Sequence, residues 1–246
     1  MNKRLLTIVL GMAMALILPC TASADLIFDA DLGGAAGSGL GTVSTILTMQ
    51  SPGSGSFESG SVSRSGGADV TSDTGVLLNG STTDVGNVKT GASQTVTQTF
   101  GGNEITKASQ IAIVFNADEP SGNAITLTGL KMSVFNGNTN IFDAQLAQWM
   151  AFATTFTGIG KQGFVFRLDT AEAAALQTKL DALSDPATVA ALRIGLSASA
   201  NDATGGPETF NLATITAVPE PGTLLFAITA VAGLSFVAWR RRNKTF

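Results

Sequence analysis

Short segments in which apolar residues alternate with polar ones recur between residues 25 and 217, and Gly, Ser or Asn residues separate them. Residues 163–168 place Phe164, Phe166 and Leu168 on one face of an extended chain, and residues 192–199 repeat this pattern. Residues 111–115 are apolar without interruption, which is typical of a strand buried on both faces. About nine or ten such strands predict a mainly β fold, an antiparallel β-sandwich or jelly roll.

One segment follows the period of a helix instead. Asp169 and Glu172 have the spacing of an N-cap residue and the third helical residue, and an Ala-rich stretch follows them. Three leucines at helical spacing form one apolar stripe: Leu176, Leu180 and Leu183. Pro186 lies just beyond the expected end of the helix. We expect one substantial α-helix that covers an open face or end of the β domain, with a partner-binding amphipathic helix as the alternative.

Residues 1–24 have the three parts of a secretory signal peptide. Lys3 and Arg4 precede an apolar stretch over residues 5–18, and Ala22 and Ala24 supply the small residues before a cleavage site. We therefore expect signal peptidase to cleave after Ala24 and the chain to be exported. Cleavage also removes Cys20, the only cysteine, so the mature protein has no disulfide and no thiol chemistry.

Residues 218–246 form a second targeting segment. Pro219-Glu220-Pro221 precedes an apolar run over residues 223–239, which is just long enough to enter a bilayer as a hydrophobic helix. A cationic cluster follows at once: Arg240, Arg241, Arg242 and Lys244. Positive charges next to a membrane span stay in the cytoplasm, so everything before the span should lie outside. We expect three parts: signal peptide 1–24, exported domain 25–217, and sorting tail 218–246 with a transmembrane segment at 223–239.

This tail closely resembles the PEP-CTERM sorting signal of Gram-negative bacteria, and Pro219, Glu220 and Pro221 are the signature. The resemblance covers residues 218–244 and implies processing by an exosortase near that motif. It also implies that the protein is anchored in the inner membrane before processing and then reaches the cell surface or extracellular matrix. An association with exopolysaccharide or biofilm comes from this resemblance alone. The tail is a sorting address, and it carries no information about the activity of residues 25–217.

Composition excludes several classes of chemistry. The chain has no His and no Tyr, and its one Cys lies in the signal peptide. These absences remove Ser-His-Asp and Cys-His triads, His-based metal sites and the commonest general base near neutral pH. Residues 25–217 hold 8 Lys and Arg against 17 Asp and Glu, a net charge of −9 without a basic cluster, so we expect no nucleic-acid partner.

Three groups of acids are candidate calcium ligands, because Ca²⁺ prefers oxygen ligands on loops. They are Asp29 with Asp31 on one side of an extended segment, Asn116 with Asp118 and Glu119, and Asn201 with Asp202 and Glu208. None matches an EF-hand, so we interpret them as solvated surface acids, with a structural calcium site as the alternative. We assign no catalytic, cofactor or metal residues.

The sequence favours a non-catalytic, exported surface or extracellular-matrix protein. A carbohydrate-binding, lectin-like module is the alternative, and a hydrolase working with carboxylates is a third reading. Sugar sites usually present aromatic rings, and Trp149 is the only Trp in residues 25–217. We interpret Trp149 as a core aromatic, which counts against the lectin reading.

Overall fold

The computed structural model describes residues 25–32, 43–50, 56–77, 81–84, 87–91, 94–120, 123–153 and 163–215. These residues are mainly β with one substantial helix, as the sequence predicts. The strands are β1 Asp25–Phe28, β2 Val43–Gln50, β3 Phe57–Ser65, β4 Ala68–Ser72, β5 Thr74–Val76, β6 Thr82–Asp84, β7 Asn87–Val88, β8 Gln98–Thr99, β9 Ile111–Asn116, β10 Ala124–Asn136, β11 Thr139–Leu146, β12 Met150–Ala153, β13 Gly163–Leu168, β14 Arg193–Asn201 and β15 Glu208–Thr214. The helices are α1 Thr170–Ala182 and α2 Pro186–Ala191, and two 3-10 turns span Gly101–Asn103 and Ala108–Gln110.

Most strands belong to one curled sheet. Its order is β4-β3-β14-β10-β11-β1-β13-β9-β15-β2-β7, with β12 beside β10 and β8 beside β14. Neighbours in this path run antiparallel except β1 and β11, which are parallel. β5 and β6 form a separate two-stranded sheet. β2 and β7 also contact β3, so the sheet curls until strands near its two ends pack together.

The strand that the sequence identified as buried is β9, which lies between β13 and β15 in the sheet. Every residue from Ile111 to Phe115 in β9 is buried, and the Phe115 ring stacks on Phe210 with centroids 4.8 Å apart. The alternation in residues 163–168 predicts that Val165 in β13 points away from the core, yet Val165 is only 1% exposed. The alternating pattern therefore located β13 correctly and underestimated how much of it is covered.

The sequence pattern predicts two strands, at residues 124–128 and 130–135, but residues 124–136 form the single strand β10. Its pairing with β14 shifts between Leu127 and Gly129, which marks an irregularity between the two predicted strands. A Cβ at Gly129 would lie 1.8 Å from the carbonyl oxygen of Val76, so glycine is required by this close approach. The sequence Asn136-Gly137-Asn138 predicts a hairpin turn, and the turn between β10 and β11 confirms it, with Gly137 at a φ of 60°.

The predicted helix is confirmed as α1, and a second short helix follows it. Asp169 is the N-cap of α1, and Leu176 and Leu180 are buried. Pro186 does not simply follow the end of α1, because it begins α2. The Asp185 carboxylate accepts hydrogen bonds from the backbone N–H groups of Ala187 and Thr188, and Pro is well suited to the first position of a helix.

The targeting segments lie outside the described residues. They include the signal residues Ala22 and Ala24, the motif Pro219-Glu220-Pro221, the apolar run 223–239 and the charged cluster that follows it. Within the described ranges, no helix has both the length and the apolar character needed to cross a membrane.

The stripe on α1 yields a stability prediction. Leu180 is 3% exposed, so Leu180→Ala should lower the free energy of unfolding of residues 25–217 by about 2–5 kcal/mol. Lys179→Ala, one residue earlier at an exposed position, is the matched control and should change it by less than about 0.5 kcal/mol. Chemical denaturation followed by circular dichroism measures both values. Equal effects of the two substitutions would contradict the packing of α1 described here.

Candidate functional site

The structure brings together two of the acidic loops that the sequence singled out. The carboxylate of Glu119 accepts hydrogen bonds from the backbone N–H of Thr204 (2.7 Å), the Thr204 hydroxyl (2.7 Å) and the N–H of Gly205 (3.3 Å). The N–H of Gly206 donates to the carbonyl oxygen of Asp118 at 2.8 Å. The loop after β9 is therefore fastened to the loop between β14 and β15.

Two glycines make this contact sterically possible. A Cβ at Gly205 would lie 1.8 Å from the carbonyl oxygen of Asp118, and a Cβ at Gly206 would lie 2.0 Å from a carboxylate oxygen of Asp118. A side chain at either position would force the loops apart. The Gly-Gly pair, which sequence reasoning treats as a turn signal, is thus also a packing requirement.

Glu208 lies directly after this loop and meets a second buried glutamate. Glu208 is the first residue of β15 and is 0% exposed, while Glu58 in β3 is 2% exposed. The two carboxyl groups lie within hydrogen-bonding reach of each other, although β3 and β15 are not neighbours in the sheet. The curl of the sheet therefore brings them together.

Sequence reasoning missed Glu58, although a signal was present. Side chains two apart in a strand share a face, and Glu58 shares its face with Gly60 and Val62, both of which are buried. A glutamate on the inward face of a strand needs a partner inside the protein. The composition of residues 56–64 predicts only a polar strand, and that prediction does not identify an inward face.

The chemistry of the pair follows from its surroundings. Burial raises the pKa of Glu208 to about 11, and the hydrogen bond to Glu58 and the negative charges of Glu58 and Glu119 add to this effect. Among the described residues, no N–H or O–H donor of another residue bonds to the Glu208 carboxyl group. Two carboxyl groups can form a hydrogen bond only if a proton lies between them, and the raised pKa of Glu208 keeps its proton in place at neutral pH.

The other predicted acids have separate roles. Asp29 accepts hydrogen bonds from the N–H groups of Asp31 (3.1 Å) and Leu32 (3.3 Å) and pairs with Arg167 at 2.6 Å. The chain therefore turns after Phe28, and the expected extended arrangement of Asp29 and Asp31 is wrong. Asp202 accepts a hydrogen bond from the Thr126 hydroxyl.

Asn116 pairs with neighbouring strands at the end of β9. Asn201, which the sequence grouped with Asp202 and Glu208, pairs with Phe57 and Thr126 at the end of β14. In the part of the chain that the structure describes, no group of three or more acidic residues is placed to hold a metal ion.

Trp149 lies on the surface, so its interpretation as a core aromatic is wrong. It stands in the short connection between β11 and β12 and is 61% exposed. Trp149 comes just before Met150, the first residue of β12 that pairs with β10. Strand pairing therefore does not direct the Trp149 ring inward. An exposed indole is a suitable surface for stacking against an apolar face of a ligand.

An open groove of about 550 Å³ separates the end of α1 from α2 and the 3-10 turn at Gly101–Asn103. Apolar groups of Ile105, Leu180 and Val189 line much of it. Asp185 is also in the lining, and its hydrogen bonds from Thr188 and Ala187 lower its pKa. This carboxylate therefore serves as the cap of α2.

The buried pair predicts an unusual dependence of stability on pH. The unfolded chain releases the Glu208 proton above its ordinary pKa of 4.5, whereas the folded protein keeps it up to about 11. The stabilisation is complete below the lower value and is lost as the pH rises towards the higher one. Between about pH 6 and about pH 9, the free energy of unfolding should fall by up to about 1.4 kcal/mol per pH unit.

Glu208→Gln tests this assignment, because the amide supplies a permanent donor to Glu58 without a proton that can be lost. The variant should show a flatter pH profile in denaturation experiments than the wild type. Glu104→Gln, at an exposed position, is the control and should keep the wild-type slope. A wild-type Tm that rises with added Ca²⁺, but not in the Glu208→Gln variant, would instead identify the pair as a cation site.

Comparisons of this chain with protein-family models, with curated proteins and with solved structures find no match. The conclusions about this site therefore rest on its own contacts. Those contacts describe two loops fastened by Glu119 and a sealed carboxyl pair between Glu58 and Glu208.

Proposed function

We propose that this chain is a non-catalytic, exported protein of the cell surface or extracellular matrix, sorted by an exosortase. The targeting signals motivate the export route, and the buried Glu58–Glu208 pair supports the non-catalytic role. A catalytic carboxyl pair must reach a substrate, and these two residues are 2% and 0% exposed. The pair joins strands instead, which disfavours the carboxylate-based hydrolase.

The arrangement of the curled sheet is part of this proposal. The contact of β2 and β7 with β3 supports, as part of this proposal, a sandwich-like or jelly-roll arrangement of the curled sheet.

Processing at both ends is the direct test. Intact-mass analysis of protein from the envelope and matrix of the native cells should show Asp25 as the first residue and loss of the segment after about Pro221. A variant with Pro219→Ala and Pro221→Ala should keep the tail and stay in the inner membrane. Full-length protein ending at Phe246 in cells with an active exosortase would rule out the sorting proposal.

A carbohydrate-binding role is the second candidate, and the exposure of Trp149 favours it. A flat indole ring on the surface can stack on the apolar face of a pyranose. The matrix setting that the sorting tail implies would supply exopolysaccharide as the ligand. This candidate and the structural role differ in whether residues 25–217 bind glycan saturably.

A three-variant comparison separates these candidates. Trp149→Ala should weaken binding of residues 25–217 to purified exopolysaccharide at least about tenfold if the ring carries the contact, whereas Trp149→Phe should keep much of it. Val70→Ala, at another exposed apolar side chain, is the control and should change nothing. Isothermal titration measures all three. Absence of saturable binding by the wild type would leave the structural role alone.

A further inference from the structure

At the start of α1, the Glu172 carboxylate lacks the backbone N–H donor that a capping box would give it. The spacing of Asp169 and Glu172 predicts a reciprocal capping box, and half of it forms, since the Asp169 carboxylate accepts from the Glu172 N–H at 2.7 Å. The other half does not form. The Asp169 N–H donates instead to the carbonyl oxygen of Asp25 at 3.2 Å, so the Glu172 carboxylate loses its expected donor to β1.

Glu172 is nevertheless buried. It is 8% exposed and makes no hydrogen bond or ion pair through its side chain within the described ranges. Burial raises the pKa of Glu172, and the charges of Asp169 and Asp25 raise it further. One oxygen of the Asp25 carboxylate is also buried without a hydrogen-bond partner. Three acids thus converge where β1 meets α1, and one of them, Asp25, has a buried oxygen without a hydrogen-bond partner.

No cation of the described residues neutralises this cluster. The ion pairs there join Arg64 and Arg193 to Asp69, Lys131 to Asp143, and Arg167 to Asp29, and none includes Asp25, Asp169 or Glu172. Opposite Asp25 on the neighbouring strand β11 is Gln145, which is uncharged. The cluster therefore has the electrostatic character of a site for a small cation with several N–H donors.

The expected maturation reaction produces such a cation at this place. Hydrolysis of the peptide bond between Ala24 and Asp25 adds one water, leaving a carboxylate on Ala24 and an amine on Asp25 that takes up a proton. An α-amino group has a pKa of about 7.7–8.0, so it is largely charged at neutral pH and carries three donors. Standard bond lengths hold this nitrogen within about 4 Å of the Asp25 carbonyl oxygen, which is itself bound to Asp169.

We propose that cleavage after Ala24 completes this site, and that the new α-ammonium group of Asp25 pairs with the carboxylates of Glu172, Asp169 and Asp25 and locks β1 to the start of α1. The mature protein is therefore more stable than the same fold with a blocked or extended N-terminus. This inference rests on the export proposal, because cleavage after Ala24 is the source of the free amine. The electrostatics of the site do not depend on that proposal.

The test uses the chain from Asp25 to Phe246 in mild detergent, released from a fusion that leaves Asp25 as the first residue. N-terminal acetylation removes the charge, and retention of Ala24 moves it by one residue. Each change should lower the Tm by roughly 3–8 °C in the wild type. In the E172Q variant the same changes should have at most half of that effect, because the buried charge that they leave unpaired is gone.

Two further measurements make the outcome decisive. The variant Asp181→Asn, at an exposed carboxylate at the other end of α1, should keep the full effect of acetylation. The amine of Asp25 should react more slowly with an acylating reagent in the folded wild type than in E172Q. If the acetylated wild type fails to fold while acetylated E172Q folds, the pairing is supported. Equal loss of Tm in both backgrounds, or no loss in either, overturns the inference.

Failure of the export proposal is distinguishable from failure of this one. A native protein that begins elsewhere than Asp25, together with a coupling between the amine and Glu172 in the prepared chain, would contradict export processing and leave the site intact. A native N-terminus at Asp25 without that coupling would support export processing and contradict the proposed pairing.

Discussion

The packing of β2 and β7 against β3 is the contact on which the rest of the structure depends. It is close because residue 60 is a glycine: a Cβ there would lie 2.5 Å from Cγ2 of Val88 and 3.4 Å from Cγ of Met49. With this contact in place, strands near the two ends of a long sheet enclose one core. Without it, Glu58 and Glu208 would face water and their shared proton would be unnecessary.

The buried pair shows how a polar contact can specify this closure. Two carboxyl groups that share a proton satisfy each other only when both strands are in place, because no donor of another described residue reaches Glu208. Burial of unpaired carboxyl groups is costly, so a register or curl that separates them is disfavoured. The hydrophobic core supplies most of the driving force for folding. The Glu58–Glu208 pair favours one arrangement of the strands around that core over others.

The sequence predicted local structure well and long-range structure poorly. β9, β13, the turn at Gly137 and α1 were all found, because each depends on a run of neighbouring residues. The insertion of β1 between β11 and β13 was not found, since nothing in residues 25–28 identifies which strands they pair with. The meeting of Glu58 and Glu208 depends on the curl, and the exposure of Trp149 depends on where β12 begins, so neither has a local signal.

α2 was missed for a different reason. Pro186 was interpreted as a stop signal, but the same residue is favourable at the first position of a helix when an N-cap precedes it. Asp185 supplies that cap through hydrogen bonds to Ala187 and Thr188. Asp185-Pro186 is therefore compatible both with the end of one helix and with the start of another.

The position of β1 explains why the proposed contact at Asp25 would matter. β1 is four residues long, yet it connects β11 on one side to β13 on the other. Chain termini fray unless they are held, and fraying of this strand would open two ladders in the middle of the sheet. The hydrogen bond from the N–H of Asp169 to Asp25 already fastens β1 to the start of α1. A charged contact at Asp25 acts at the same point, so its effect extends to both neighbouring strands and to α1.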